Sequence, residues 1–144
     1  TERLKLEGEQ AKIKHMLELS PVNIIMADLD LNIVYLNPAS QRTLEKLASY
    51  LPIPANRVLG ASIDIFHKNP AHQRKLLGNP RNLPHRAHIQ IGPETADLLV
   101  SPIYDAKGEY IGPMLTWELI TEKLRLERES AERQEREREQ AAEL

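Results

Sequence analysis

Three consecutive segments in the second half of the chain alternate apolar and polar residues with the period of a β-strand: HRAHIQIG, ETADLLVSPIYD and EYIGPMLTWELI. Gly92-Pro93 joins the first pair, and Asp105-Ala106-Lys107-Gly108 joins the second. Both joints have the composition of tight turns between antiparallel neighbours. The pattern therefore predicts a three-stranded antiparallel unit. One of its faces carries Ala87, Ile89 and Ile91 from the first strand, and Ile111, Leu115, Trp117 and Leu119 from the last.

Two further strand candidates lie near the start of the chain, NIIMAD and NIVYLN, separated by Leu29-Asp30-Leu31. Both are short and rich in large or β-branched apolar residues. Asp28, Asp30 and Asn32 have the spacing of a calcium-binding loop, but the glycine and the distal glutamate of such a loop are missing. A hairpin turn is the favoured interpretation.

Helices are predicted at both ends and between the two groups of strands. The first segment, TERLKLEGEQAKIKHMLELS, has one apolar stripe and ends at Pro21. Asn37-Pro38 and Asn69-Pro70 each place an N-cap residue before a proline at the first helical position. The stretch between them, LPIPANRVLGASIDIF, has too many breakers for more than short turns. The tail, TEKLRLERESAERQEREREQAAEL, fits a solvated helix or the start of a coiled coil.

This element order predicts an α+β domain, with a five-stranded antiparallel sheet and helices over one face. At 144 residues the chain can form one such domain with extensions. We expect an N-terminal helix over residues 1–20, the domain over 21–120, and a C-terminal signalling helix over 121–144 that begins a linker or coiled coil.

Composition argues against several classes of function. The chain has no cysteine, which excludes disulfides, thiolate metal sites and a cysteine nucleophile, and fits a reducing cytoplasm. A net charge of −2 gives no reason to expect nucleic acid as a partner. No apolar run approaches the roughly 20 residues of a membrane helix, so no membrane contact is expected within this segment. Without a nucleophile elbow or a glycine-rich phosphate loop, no enzymatic activity is expected.

The candidate binding feature is the run DIFHKNPAHQ, which places His67 and His72 around a helix start beside Phe66, the only phenylalanine. A histidine at the mouth of an apolar domain can ligate a metal or haem iron, change charge near neutral pH, or only organise the helix start. Trp117 is equally open to two interpretations, since its strand face also carries core leucines. His85 and His88 are expected to face solvent.

The element order and these residues together resemble a PAS domain over roughly residues 17–121. The similarity is strongest to the PAS domains of bacterial chemoreceptors, including soluble aerotaxis-type methyl-accepting chemotaxis proteins. It is carried by NIIMADLDLNIVYLNPA, VLGASIDIFHKNPAHQRKLL and SPIYDAKGEYIGPMLTWELITEKL. The resemblance implies a cytoplasmic sensory module that forms a homodimer through its N-terminal helix and sheet. It also implies an output domain further along the same chain.

Some domains of this type resemble haem proteins, which implies a haem b site in this chain and no other cofactor. Carried over, His67 is the iron ligand and Trp117 lies near the gas-binding face, with His72 as the second choice of ligand. Phe66, Leu99 and Leu115 are expected among the apolar walls, together with Ile25, Ile65, Leu76, Leu77 and Met114. The implied function is sensing oxygen or another diatomic gas. The alternative is a ligand-free dimerisation and relay module whose pocket is filled by its own side chains.

The chain departs from the family where the last strand ends. The family has Asp-aliphatic-Thr there, whereas the aligned residues here are Leu119-Ile120-Thr121. Glu118 is one position too early, and strand alternation turns it to the other face. Thr121 is expected to cap the C-terminal helix.

Overall fold

The structure is a computed structural model that describes residues 1–143. Its elements follow the predicted order, and the prediction of an α+β fold is confirmed. Short 3₁₀ turns at Ala48–Tyr50, Ala55–Arg57, Ile63–Phe66 and Pro80–Asn82 fill the connections. The helices and strands are α1 (Glu2–Leu19), β1 (Asn23–Ala27), β2 (Ile33–Leu36), α2 (Pro38–Lys46), α3 (Pro70–Leu77), β3 (His85–Ile91), β4 (Glu94–Tyr104), β5 (Tyr110–Leu119) and α4 (Thr121–Ala142).

All five strands form one antiparallel sheet in the order β2-β1-β5-β4-β3. The last strand is therefore central, and Trp117 pairs with Asn23 on one side and with Leu98 on the other. The link from β2 to β3 carries α2, α3 and the 3₁₀ turns. Because β5 lies in the middle, a change along it reaches both halves of the sheet.

The core lies between the inner face of the sheet and the elements that cover it. Leu44 of α2, Leu47 directly after that helix and Val58 of the following turns pack with Ile33 and Trp117 of the sheet, each at most 4% exposed. Burying such a side chain stabilises the fold by about 1.5–3 kcal/mol. The alternation of apolar and polar residues along the strands predicts the inner face of the sheet well. The errors of this prediction concern single positions.

One such error is Ile111, which was placed on the inner face but is 45% exposed. The register between β4 and β5 shifts between Ile103 and Tyr104, which leaves Ile111 without a partner, so strict alternation does not hold at the start of β5. The hairpin between β1 and β2 is confirmed: Leu31 takes φ 63°, and the carboxylate of Asp28 accepts the Asn32 N–H at 2.9 Å.

Asn37 caps α2 as predicted, and its buried amide also joins three elements. Its Oδ1 accepts the N–H groups of Ser40 at 3.0 Å and Ile24 at 2.9 Å. Its Nδ2 donates to the carbonyls of Leu17 at 3.2 Å and Val22 at 2.7 Å. The end of α1, strand β1 and the start of α2 are thus held by one side chain that makes all four of its hydrogen bonds.

The terminal helices extend from this body, and no residue of α1 or α4 within the described part of the chain is buried. Arg125 of α4 pairs with Glu122 and Glu129 along a solvated face. The prediction that Thr121 caps α4 is wrong, since the N-cap position is Ile120. No helix in residues 1–143 has the length and apolarity to cross a membrane.

Candidate functional site

An apolar cavity of about 170 Å³ lies between the inner face of the sheet and the covering segment of residues 63–77. An aliphatic cavity of about 150 Å³ already admits benzene. Polar side chains reach it at only three positions, His67, Gln73 and His85. The apolar lining is Ile25, Ala27, Ile33, Leu44, Ile63, Phe66, Leu76, Leu77, Ala87, Ile89, Ile91, Leu98, Val100, Pro113, Leu115 and Trp117.

His67 follows the 3₁₀ turn Ile63–Phe66 and lines the cavity. Its Nδ1 lies 2.8 Å from the carbonyl oxygen of Ile63. Because a carbonyl can only accept, Nδ1 carries the proton and Nε2 carries the lone pair of the neutral ring. Metal-ligating histidines characteristically have this arrangement, in which a backbone carbonyl fixes the tautomer and the ring orientation. His67 therefore has the tautomer that ligation of a metal through Nε2 requires.

An ion pair outside the cavity holds the segment that carries His67. Arg74 of α3 grips the Asp64 carboxylate with two hydrogen bonds, Nε to Oδ1 at 3.0 Å and Nη2 to Oδ2 at 2.9 Å. Its Nη1 also donates to the carbonyl of Asp30 at 3.2 Å, in the turn between β1 and β2. The bond to Asp64 raises the pKa of the Arg74 guanidinium, which stays charged. The turn before His67 is thus fastened both to α3 and to the sheet.

Trp117 lies on the central strand, is 4% exposed and lines the cavity. Its Nε1 donates to the hydroxyl of Ser40 at 2.9 Å. Ser40 belongs to the first turn of α2 and is fully buried. Sequence reasoning missed Ser40, because the two residues are 77 positions apart and no motif links them.

The other predicted site residues divide according to the face on which they lie. Phe66 and Leu115 line the cavity. Leu99 lies on the opposite face of the sheet beside Arg86 and Asp97, because Leu98 and Val100 take the cavity face of β4. His72 is exposed on α3, and its side chain is not part of the lining. Three of the further wall candidates, Ile25, Leu76 and Leu77, line the cavity, and two, Ile65 and Met114, do not.

His85 was expected to face solvent, and the structure corrects this. It is partly buried and lines the cavity. The signal was present in the sequence, since His85 is two residues before Ala87 and shares its strand face. His88, on the other face, is exposed as expected and lies 3.5 Å from Asp97. Gln73 of α3 is the third polar lining residue, and nothing in its local sequence marks it.

The cavity presents imidazoles and no carboxylate. Within residues 1–143, no three histidine or acidic side chains cluster as metal ligands. Haem iron takes a single axial imidazole from many proteins and otherwise needs apolar walls. The donor set and lining described above match that requirement.

Comparison with known proteins gives close relatives, although no family model matches the chain. The methyl-accepting chemotaxis protein McpB of Pseudomonas aeruginosa is 38% identical over 132 residues, which cover 88% of this chain. The chain spans about a fifth (19%) of that protein's length.

Solved structures give the same picture. The Aer2 receptor from Vibrio cholerae, described as a dual PAS-haem oxygen sensor, is 42% identical with a TM-score of 0.66. That match covers 69% of this chain and 95% of the other. The PAS domain of Bordetella pertussis BvgS is 18% identical with a TM-score of 0.58, covering 89% and 98%, and shows the fold alone.

Proposed function

Since this chain belongs to the PAS-domain family, as a sensory domain of the kind found in bacterial chemoreceptors, we propose that it binds haem b and senses oxygen or another diatomic gas. The Vibrio cholerae relative, described as a haem oxygen sensor, shares 42% of its aligned sequence with this chain. The chemistry of the cavity supports the same cofactor independently of that relative.

The observation that carries the proposal is the position of the proton on the His67 ring. The carbonyl of Ile63 holds the proton on Nδ1, so Nε2 can bind iron without first losing a proton. His67 would hold the haem, which would supply an iron able to bind a diatomic gas. Phe66 and Leu115 exclude water around it, and Trp117 is the indole donor among the lining residues.

Haem is larger than the cavity, so its entry requires the covering segment to move outward. The hydrogen bond from Arg74 to the carbonyl of Asp30, which is exposed, would have to break, but few buried residues hold the segment. Every residue from 61 to 67 is only partly buried, and Leu77 is the one buried residue of α3. Regions with few buried apolar contacts open at low free-energy cost. The sheet side, with Ile33 and Trp117 at most 4% exposed, would stay in place.

An absorption spectrum of the purified protein tests this function. After expression with a supply of haem, we expect a Soret band that His67→Ala abolishes, because the single axial imidazole is lost. The matched control is His72→Ala, which removes an exposed imidazole five residues away and should leave the band unchanged. A protein that takes up no haem, or a band that survives His67→Ala, would contradict the proposal.

Dimerisation and signal relay form a second candidate function, favoured by the apolar surface of α1. Three large apolar side chains of α1 are exposed to solvent: Leu6 at 55%, Ile13 at 58% and Met16 at 62%. In this proposal residues 21–120 are the sensory domain, and the helices over 1–20 and 121–144 connect it to a partner copy and to an output domain. We expect a concentration-dependent dimer in sedimentation that Leu6→Glu with Ile13→Glu disrupts. Ala11→Glu adds a charge of the same sign on the opposite, exposed face of the helix, and should not disrupt the dimer.

A further inference from the structure

The bond between Trp117 and Ser40 is a polar contact buried inside the core. The indole is 4% exposed and Ser40 is fully buried, so water cannot replace either partner. An indole has one N–H and no acceptor, and therefore makes one good hydrogen bond at a time. In this structure that bond goes to α2.

A gas held in the cavity would offer the indole a second acceptor. Trp117 lines the cavity with one part of its ring system while its N–H is directed to Ser40. A buried N–H left without any acceptor carries a free-energy penalty, so the indole exchanges one acceptor for another and does not simply leave Ser40. A gas that accepts a hydrogen bond from Trp117 must therefore break the bond to Ser40, which lowers the affinity for that gas.

We propose that Ser40 is the resting partner of Trp117 and sets the affinity and selectivity of the site by competing with the gas for the indole N–H. Ser40 is a positioning residue in this scheme, since it acts through Trp117 and does not line the cavity. The inference rests on the proposed haem-binding function. It predicts that a gas which accepts a hydrogen bond well, such as oxygen, feels the competition more than carbon monoxide, which accepts one weakly.

The resting contact can be measured in the protein without haem. Trp117 is the only tryptophan, so the indole N–H gives one resonance in an ¹⁵N-labelled sample, and excitation at the red edge of the absorption band gives emission from this indole alone. Ser40→Ala should move this resonance and the emission maximum. Ser49→Ala, at an exposed serine in the turn after α2, is the matched control and should move neither.

Gas affinity tests the competition itself in the haem-loaded protein. Ser40→Ala removes the competing acceptor, and we expect roughly fivefold tighter oxygen binding, the shift that one net hydrogen bond supplies. Carbon monoxide affinity should change by less than about twofold. Ser40→Cys keeps the shape but weakens the acceptor, and should give an intermediate oxygen affinity if Ser40→Ala fails to fold.

The outcomes separate this inference from the function on which it rests. A Soret band together with unchanged or weaker oxygen binding in Ser40→Ala overturns the role of Ser40 and leaves the haem proposal intact. Equal changes for the two gases also overturn it, since competition for a hydrogen bond cannot act equally on both. A protein that binds no haem overturns both proposals, and the absorption spectrum shows this before any affinity is measured.

Discussion

The two terminal helices are fastened to the core by different chemistry. The end of α1 is held by the amide of Asn37, a fully buried neutral side chain bonded only to backbone groups. The start of α4 is held by the hydroxyl of Thr121, which accepts the Thr95 N–H at 2.8 Å and donates to the Glu94 carboxylate. Thr121, Thr95 and Glu94 are all only partly buried.

This difference indicates how each helix can respond to the cavity. We call the contacts of Asn37 with the end of α1 the α1 joint, and those of Thr121 at the start of α4 the α4 joint. Asn37 Oδ1 also accepts the N–H of Ser40, and the hydroxyl of Ser40 accepts the N–H of Trp117. The α1 joint is therefore connected to the indole through Ser40. The α4 joint lies four residues beyond Trp117 on the same chain, at the end of the central strand. The α1 joint is therefore linked to the site through side chains, and the α4 joint through the backbone of β5.

The α4 joint also contains a carboxylate, although the family's aspartate at the end of the last strand is missing from this sequence. The acidic residue that the family resemblance places at the end of the last strand is absent, and Leu119 stands there. Glu94, at the start of β4, brings a carboxylate to Thr121 from the neighbouring strand. Thr121 thus has an acidic partner, although this partner comes from β4 and not from the end of β5.

The largest expected effect is at the α1 joint. Asn37→Ala removes four hydrogen bonds, two of them buried, and leaves the Ile24 N–H and the Val22 carbonyl without this partner. We expect a loss of about 3 kcal/mol in the free energy of unfolding, measured by urea denaturation. Asn69→Ala, which removes an exposed N-cap, is the control and should cost about 1 kcal/mol. Equal losses in the two variants would mean that Asn37 acts only as a helix cap.

The α4 joint should respond less. Thr121→Val keeps the side-chain shape but removes the hydroxyl that serves Thr95 and Glu94. We expect a loss of about 1–2 kcal/mol, with faster hydrogen exchange at the Thr95 amide and in the first turn of α4. Exchange in α1 should not change. If α1 amides also exchange faster, the two joints are coupled and the contrast between them fails.

Sequence reasoning captured the repeating features of this molecule and missed its single long-range contacts. The two-residue period predicted β3, β4 and β5, and Asn-Pro pairs marked the starts of α2 and α3. Leu99 was wrongly placed among the walls because a one-residue error turns a strand side chain to the other face. The contacts of Ser40 and Glu94 join residues 77 and 27 positions apart, and no local pattern announces them.

A third contact, which contributes less than either joint, has a strength that should depend on pH. The hydroxyl of Tyr110 on β5 donates to the carbonyl of Leu77, at the end of α3, at 2.7 Å. Burial, and secondarily the neighbouring Tyr104, raise the pKa of Tyr110 above its ordinary value of 10.0. The folded state therefore holds this proton more tightly than the unfolded state, and the contribution is present below pH 10 and lost as pH rises through the folded pKa.

Tyr110→Phe isolates this contribution. We expect it to cost about 1 kcal/mol at pH 8, and the difference from the unsubstituted protein should shrink as the pH is raised above about 10. The control is Tyr50→Phe, at an exposed ring that has no hydrogen bond to α3 among the contacts of residues 1–143. Unfolding curves at pH 8 and pH 11 measure both. A difference that stays constant with pH would mean that Tyr110 stabilises α3 by packing alone.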